Sequence, residues 1–203
     1  MRLHTLLTPL TLLFLACAVL QQNPPTEILA ARLTCDLLPQ IVDGRLDTAG
    51  ALHIDGYVER RNIYDSRLSA TQYFVNSTQV IGSQRAEAVI KLDSATFVTH
   101  VEVYAQSAIK EILVETAEGE PEPERAIVFE RIKDRQLLVP MQEGQFRRFR
   151  VGRKIRYLRI SAEGTEDMTR AEKEGWMNQT VSKVPLKGPT VREVKFYEIP
   201  IAR

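Results

Sequence analysis

The sequence is poor in cysteine, in aromatic residues and in net charge. Of its 203 residues two are Cys and one is Trp, aromatic residues make up 7%, and the formal net charge is +1. So few cysteines exclude a disulfide-dense scaffold, so an apolar core must carry the stability. The charge balance excludes nucleic acid as an expected partner and favours no anionic membrane. Hydrophobic residues at 44% and charged residues at 26% are typical of one globular domain.

Catalytic motifs are also missing. No GxSxG, HExxH, CxxC, P-loop or GxGxxG pattern occurs. Of the three histidines, His4 lies in the N-terminal leader segment, His53 in a polar segment and His100 at an outward strand position. We therefore expect no enzyme activity.

Long apolar runs are absent except at the N-terminus. Residues 6–20 follow Arg2 and are almost wholly apolar, but a membrane span needs about 20 such residues. The run is typical of a signal peptide, residues 1–18, with cleavage after Ala18. Alternatively, Leu13 to Cys17 reads as a relaxed lipobox, and cleavage before Cys17 would leave that residue lipidated. Both routes predict export, either secretion or a place in the cell envelope as an outer-membrane lipoprotein; an uncleaved anchor is a third route.

Residues 19–38 are expected to form a tether and a short helix. Pro24 and Pro25 favour an extended tether, and Thr26 is a suitable N-cap for a helix over 27–38 that Pro39 ends. Cys35 lies in this segment without a partner in the mature chain, so we expect a small buried hydrophobe.

Strand signals dominate the rest of the chain. Alternating apolar residues predict a series of strands, at 88–92, 97–104, 109–116, 126–132, 136–141, 146–151, 155–162 and 191–199. Two polar stretches, 49–85 and 163–189, fit no simple strand pattern and are expected to be long loops. The fold class is therefore all-β: an antiparallel jelly-roll β-sandwich with long end loops, preceded by a signal peptide and a short helix.

Four segments of the sequence resemble the discoidin-like (F5/8 type C, galactose-binding-like) family. They are the turn Ile41-Val42-Asp43-Gly44-Arg45-Leu46-Asp47-Thr48, the strand pair at 88–93 and 97–104, Arg156-Tyr157-Leu158-Arg159-Ile160, and 191–197. The resemblance implies one discoidin-like domain over 39–203. The family's usual Trp after the first turn is replaced here by Ala49-Gly50-Ala51, which weakens a sugar-binding expectation.

The same resemblance implies a structural Ca²⁺ between the first turn and the closing strand. Asp43 and Glu193 would supply carboxylates. By analogy with the family, Thr48 and the backbone carbonyls of Gln40, Arg45 and Arg192 would complete the ligand shell. Ca²⁺ takes six to eight oxygen ligands of these kinds. The charge of Arg45 would oppose a cation unless its side chain points away. The alternative is that Asp43 makes an Asx turn and Glu193 is a solvated strand residue.

Four aromatic residues of the two expected loops are the candidate ligand-binding residues: Tyr57, Tyr64, Tyr73 and Trp176. Such rings stack on sugars and anchor protein interfaces, so they would form a rim at one end of the sandwich. The alternative for Trp176 is a loop that tucks its own ring against the core.

A basic cluster between Arg147 and Arg159 is the strongest charge feature. It suits an anionic ligand, but strand alternation favours a solvated face that pairs with Glu115, Glu118 and Glu130 on neighbouring strands.

These observations leave two main functions. The first is an exported, non-catalytic binding module that recognises a glycan or a protein partner of the envelope through its end loops. The second is a structural subunit of an envelope assembly or appendage. A hydrolase is a distant third. A membrane would be contacted only through a lipid on Cys17.

Overall fold

The computed structural model describes residues 24–64, 73–119, 126–176 and 179–200. The signal peptide and Cys17 lie outside these ranges. Thirteen strands occur in the described chain, listed in chain order: β1 Thr26–Glu27, β2 Leu33–Thr34, β3 Gly50–Ala51, β4 Gly56–Tyr64, β5 Tyr73–Gly82, β6 Arg85–Ala105, β7 Ile112–Ala117, β8 Glu130–Arg131, β9 Phe146–Glu163, β10 Thr165–Glu166, β11 Glu172–Trp176, β12 Gln179–Lys187 and β13 Thr190–Glu198. Among these residues no helix is long and apolar enough to cross a membrane.

The strands form two antiparallel sheets, so the predicted all-β sandwich is confirmed. The first sheet has the order β1-β13-β6-β9-β7-β8, with β2 added to β6 and β3 added to β13. The second sheet has the order β10-β12-β4-β5, with β11 also paired to β12. Every strand pair is antiparallel, as in a meander or Greek-key sandwich.

The long strands β6 and β9 organise the core. Their pairing shifts register twice, between Lys91 and Thr96 and between Val98 and His100. The C-terminal half of β6, residues 98–105, pairs with β13. On the other side of the register shifts, residues 157–162 of β9 pair with β7. Buried side chains of both halves, such as Ile90, Phe149 and Ile160, belong to one hydrophobic cluster. The first sheet therefore encloses the core between its own two halves.

The register shift also corrects the predicted faces of residues 97–104. Val101 and Val103 are buried as expected, but Phe97 is 49% exposed and Val98 is fully buried. Between Val98 and His100, β6 has one residue more than its other partner β13, and this bulge reverses the alternation on the N-terminal side of β6.

The predicted helix over 27–38 is wrong. Leu29 has an extended backbone (φ −60°, ψ 140°), and only a 3₁₀ turn, Ala30–Arg32, follows it. The segment instead pairs with the first sheet, because the Ile28 amide donates to Phe196 and β2 pairs with β6. Its apolar positions suit this extended course, and Cys35 is buried as expected, with 4% of its surface exposed.

Two of the predicted strands are also wrong. Within 126–132 only the two residues of β8 are strand, and residues 135–138 form a 3₁₀ turn that Asp134 caps. By contrast, the two strands predicted at 146–151 and 155–162 are the continuous β9.

The two stretches expected as long loops are strands as well, and they supply the whole second sheet. β4 and β5 come from 49–85, while β10, β11 and β12 come from 163–189. Their buried apolar residues Val58 and Val184 lie outside the main cluster. Most of their other described residues are half-buried or exposed, which is why they lack a clear apolar alternation.

Candidate functional site

The turn between Asp43 and Thr48 faces β13 and brings oxygen atoms together. Gly44 takes a positive φ of 79°, which favours glycine and lets the turn close. The Thr48 hydroxyl lies 3.1 and 2.9 Å from the two Asp43 carboxylate oxygens, and 3.2 Å from each of the carbonyls of Gln40 and Arg45. One hydroxyl has one hydrogen to donate, so it cannot satisfy four acceptors.

Glu193 approaches this turn from the closing strand. It is 2% exposed, and its Oε2 finds no hydrogen-bond partner among the described residues. Burial raises the pKa of Glu193 to about 7, and the charge of Asp43 adds to this rise, while the backbone amides of Gly44 and Arg45 oppose it. The closing strand therefore lies against the Asp43 turn, as predicted.

The side chains of the two arginines in the predicted set point to other partners. The Arg45 guanidinium binds Asp47, with Nη2 2.7 Å from Oδ2, so its charge is directed away from Thr48. Arg192 donates to Gln106 and stands at a register shift of β13, between Val191 and Glu193. To a bound cation, Arg45 and Arg192 would each contribute the backbone carbonyl oxygen and not the side chain.

This donor set fits Ca²⁺. It combines two carboxylates, a hydroxyl and backbone carbonyls, which are the hard oxygen ligands that Ca²⁺ prefers. The described residues contain no group of three or more His, Cys, Asp or Glu side chains suited to a metal, so a cation here depends on the carbonyls. The unpartnered Glu193 oxygen and the crowded acceptors around Thr48 are the features that a cation would satisfy.

A concave groove lies on the outer face of β6, β9 and β7. Its volume is about 360 Å³. Eight polar or charged residues and the apolar Leu113 line it. The polar and charged lining residues are His53, Asp55, Ser83, Arg85, Glu87, Glu115, Arg159 and Ser161. His53 forms the rim because its backbone exchanges two hydrogen bonds with Glu87, of 3.1 and 2.7 Å.

Arg159 is held rigidly in this groove. Its Nε donates to Glu115 Oε2 at 2.8 Å, and its guanidinium stacks on Phe129 at 4.4 Å from the ring centroid. Arg85 reaches Ser161 from the neighbouring strand. Sequence reasoning missed this groove because its residues come from four separate segments and only strand pairing brings them together.

The other half of β6 carries a polar network on its outer face. Glu102 is 4% exposed; it accepts from Tyr104 and Tyr197 at 2.9 and 3.1 Å, and Arg148 binds it at 2.7 Å. Arg148, Tyr104 and Tyr197 lower the pKa of Glu102 against the effect of burial. His100 stacks on Tyr197 with centroids 4.3 Å apart. These bonds join β6, β9 and β13, so the network stabilises the sheet.

The four predicted aromatic residues do not share one end of the second sheet. Tyr57 pairs with Ile81 and Pro185, near the start of β4. Tyr64 pairs with Tyr73 at the far end of the same hairpin, and Trp176 pairs with Gln179. The side chains of Tyr64, Tyr73 and Trp176 lie outside the described part of the structure, so a rim formed by these three stays a prediction, and Tyr57 is too far along the strand to join it.

The basic cluster is paired as predicted. Arg159 binds Glu115 at 2.8 Å, Lys154 lies 3.6 Å from Glu118, and Arg153 binds Glu130 at 2.7 Å.

No protein-family model and no curated protein matches the chain. Solved structures do resemble it. A Clostridium perfringens family 32 carbohydrate-binding module, in complex with GlcNAc-α-1,4-galactose, is 14% identical over 85% of this chain and 95% of that one, with a TM-score of 0.44. The C. perfringens NanJ module, in complex with galactose, is 10% identical over 86% and 100%, with a TM-score of 0.43. The C-terminal domain of a Bacteroides fragilis chitobiase is 11% identical over 84% and 96%, with a TM-score of 0.46.

Proposed function

We propose that the chain is an exported, non-catalytic module that binds a glycan in the groove beside Arg159, and that Ca²⁺ stabilises its Asp43 turn. The observation that carries the proposal is the convergence of guanidinium, carboxylate and imidazole groups on one concave surface. Its volume falls in the range of small-ligand sites.

The chemistry of the groove suits vicinal hydroxyl groups. A carboxylate accepts two hydrogen bonds side by side and a guanidinium donates two, so both match neighbouring hydroxyls of a sugar ring. Arg159 is already ordered by Glu115 and by Phe129, which lowers the entropy that binding must cost. Glu87 and Asp55 have exposed surface for a ligand, and Leu113 gives the floor an apolar contact.

The test is a glycan array followed by titration calorimetry with galactose and with each array hit. Arg85→Gln should weaken binding about ten- to hundredfold, because a charge-assisted hydrogen bond contributes about 1.5–3 kcal/mol. His53→Ala should weaken it about two- to tenfold, because a hydrogen bond between neutral groups contributes about 0.5–1.5 kcal/mol. Phe146→Ser is the matched control: Phe146 is 56% exposed on the outer face of the other half of β9, and its loss should leave binding unchanged. A blank array, or binding that Phe146→Ser abolishes, would overturn the groove assignment.

In the Ca²⁺ part of the proposal, Asp43, Thr48 and Glu193 hold the ion together with the carbonyls of Gln40, Arg45 and Arg192. The ion would supply positive charge among crowded oxygens and so fix the turn; it takes no part in a reaction. Calorimetry with CaCl₂ should give saturable binding that Asp43→Asn abolishes.

Export and anchoring are part of the same proposal. The apolar run 6–20 and the Leu13–Cys17 pattern support it. Mass spectrometry of the mature N-terminus distinguishes a lipidated Cys17 from cleavage after Ala18, and Cys17→Ser should release the protein from membranes only in the first case.

A further inference from the structure

The outer edge of β5 is unlike the other sheet edges of the described chain. β5 runs for ten residues, from Tyr73 to Gly82, and pairs only with β4. Its described side chains from Asn76 to Gly82 are exposed, with Val80 half-buried. About half of the backbone donors and acceptors of such a strand point away from its one neighbour.

The composition of β5 lacks the features that keep an edge from pairing. Its sequence Tyr-Phe-Val-Asn-Ser-Thr-Gln-Val-Ile-Gly contains no charged residue and no proline. Aromatic and β-branched residues, which favour strands, make up most of it. A long, neutral edge strand of this kind is a template for adding another strand.

The other edges are protected. β1 and β8 are two residues long, and β8 consists of Glu130 and Arg131. On the opposite edge of the second sheet, β10 is two residues long and β11 begins with Glu172, Lys173 and Glu174. Short length and charge are the usual means of blocking edge pairing, so the neutrality of β5 is specific to this strand.

We propose that β5 pairs antiparallel with β5 of a second copy of this chain, across a twofold axis at Ser77, in the middle of the strand. Self-pairing is favoured because the strand carries no charge: no antiparallel register places like charges opposite each other. It also joins the two second sheets into one continuous sheet and removes both open edges. A twofold axis makes the contact self-complementary and closes the assembly at a dimer.

Cysteine cross-linking in the intact full-length protein tests the pairing. At the axis, equivalent residues of two antiparallel strands lie about 4.5–5.5 Å apart at Cα, which is within the range for a disulfide. Ser77→Cys should form covalent dimers on mild oxidation, whereas Thr78→Cys, whose two copies lie diagonally at about 7–8 Å, should give a much lower yield, and Gly82→Cys none. Glu174→Cys, exposed on the opposite edge of the same sheet, is the matched control and should give no dimer.

A second pair of variants tests the charge argument. Asn76→Lys should lower cross-linking of Ser77→Cys at least tenfold, because it places two cations diagonally across the axis, about 7–8 Å apart at Cα, whereas Asn76→Gln should not change it. Unchanged thermal unfolding would show that both variants are folded. Equal cross-linking at positions 77 and 174 would indicate random collision and overturn the proposal. Absence of cross-linking at 77 would overturn it as well, and β5 would then be free for a strand of another protein.

Discussion

Glu193→Gln is expected to stabilise the protein in the presence of a chelator and to abolish its stabilisation by Ca²⁺. The ordinary pKa of a Glu is 4.5, and burial beside Asp43 raises that of Glu193 to about 7. A carboxyl whose pKa is higher in the folded state contributes stability that is fully present below the lower value and is lost as the pH rises through the higher one. The free energy of unfolding in chelator should therefore fall as the pH rises from 4.5 through 7.

The magnitude follows from the two pKa values. At about 1.4 kcal/mol for each pH unit that separates them, ionising Glu193 costs roughly 3 kcal/mol above pH 8. Gln has nearly the same shape and no charge, so Glu193→Gln should recover most of this free energy in chelator. It should also remove this group's share of the pH dependence.

Urea unfolding at pH 5 and pH 8.5, with chelator and with CaCl₂, measures both effects. Wild type should gain about 2.7 kcal/mol at a Ca²⁺ concentration a hundred times its Kd, and Glu193→Gln should gain little. Asp43→Asn is the matched control, because Asp43 is exposed: it should lose the response to Ca²⁺ with a smaller change in chelator. If Glu193→Gln were less stable than wild type in chelator at pH 8.5, the reasoning would be refuted.

Three further predictions concern the stability of the sandwich, each measured as the free energy of unfolding in urea. Phe149→Ala should cost about 3–5 kcal/mol, because this fully buried ring fills the shared core of both β9 halves. Arg148→Ala should cost about 1–2 kcal/mol, since it leaves the buried Glu102 carboxylate with two phenol donors; no loss would show that the exposed guanidinium adds nothing. Gly188→Ala should cost about 1–3 kcal/mol, because a Cβ there would meet the Leu52 carbonyl oxygen at 2.2 Å; a neutral result would mean that the backbone yields.

The core strands were predictable because burial leaves a clear period of two. Ala88, Ile90 and Leu92 alternate with exposed residues along β6 and are all buried, and the closing strand lies against the Asp43 turn, as the resemblance implied. The basic cluster was interpretable for the same reason, since its alternating charges face acids on paired strands. The bulge of β6 was not predictable, because Thr99, which β6 has in excess of β13, is an ordinary strand residue; only Gly152 of β9, with its positive φ, marks the irregularity.

The helix error at 27–38 arose from a capping pattern without an apolar stripe of helical period. Thr26 and Pro39 are suitable punctuation for a helix, but they suit an extended segment that ends in a turn equally well. Ile28 and Leu33 are buried through hydrogen bonds to β13 and β6. These partners are more than fifty residues away in sequence, and no local pattern contains them.

The second sheet escaped prediction because it buries little. Among the described side chains of β4 and β12, the buried ones are Val58, Glu59 and Val184, and Glu59 is held by Arg61 at 2.6 Å. Strands with both faces partly wet need no apolar alternation, so their sequences look like those of loops. Backbone pairing must then carry much of their stability, and this raises the importance of the edges. An edge strand that carries charged side chains, as β11 does, stays solvated and does not pair with another strand. By contrast, the outer edge of β5 is neutral along its ten residues and leaves backbone groups unpaired among the described residues. Because backbone pairing matters most in a sheet that buries little, a second strand is the natural partner of this edge.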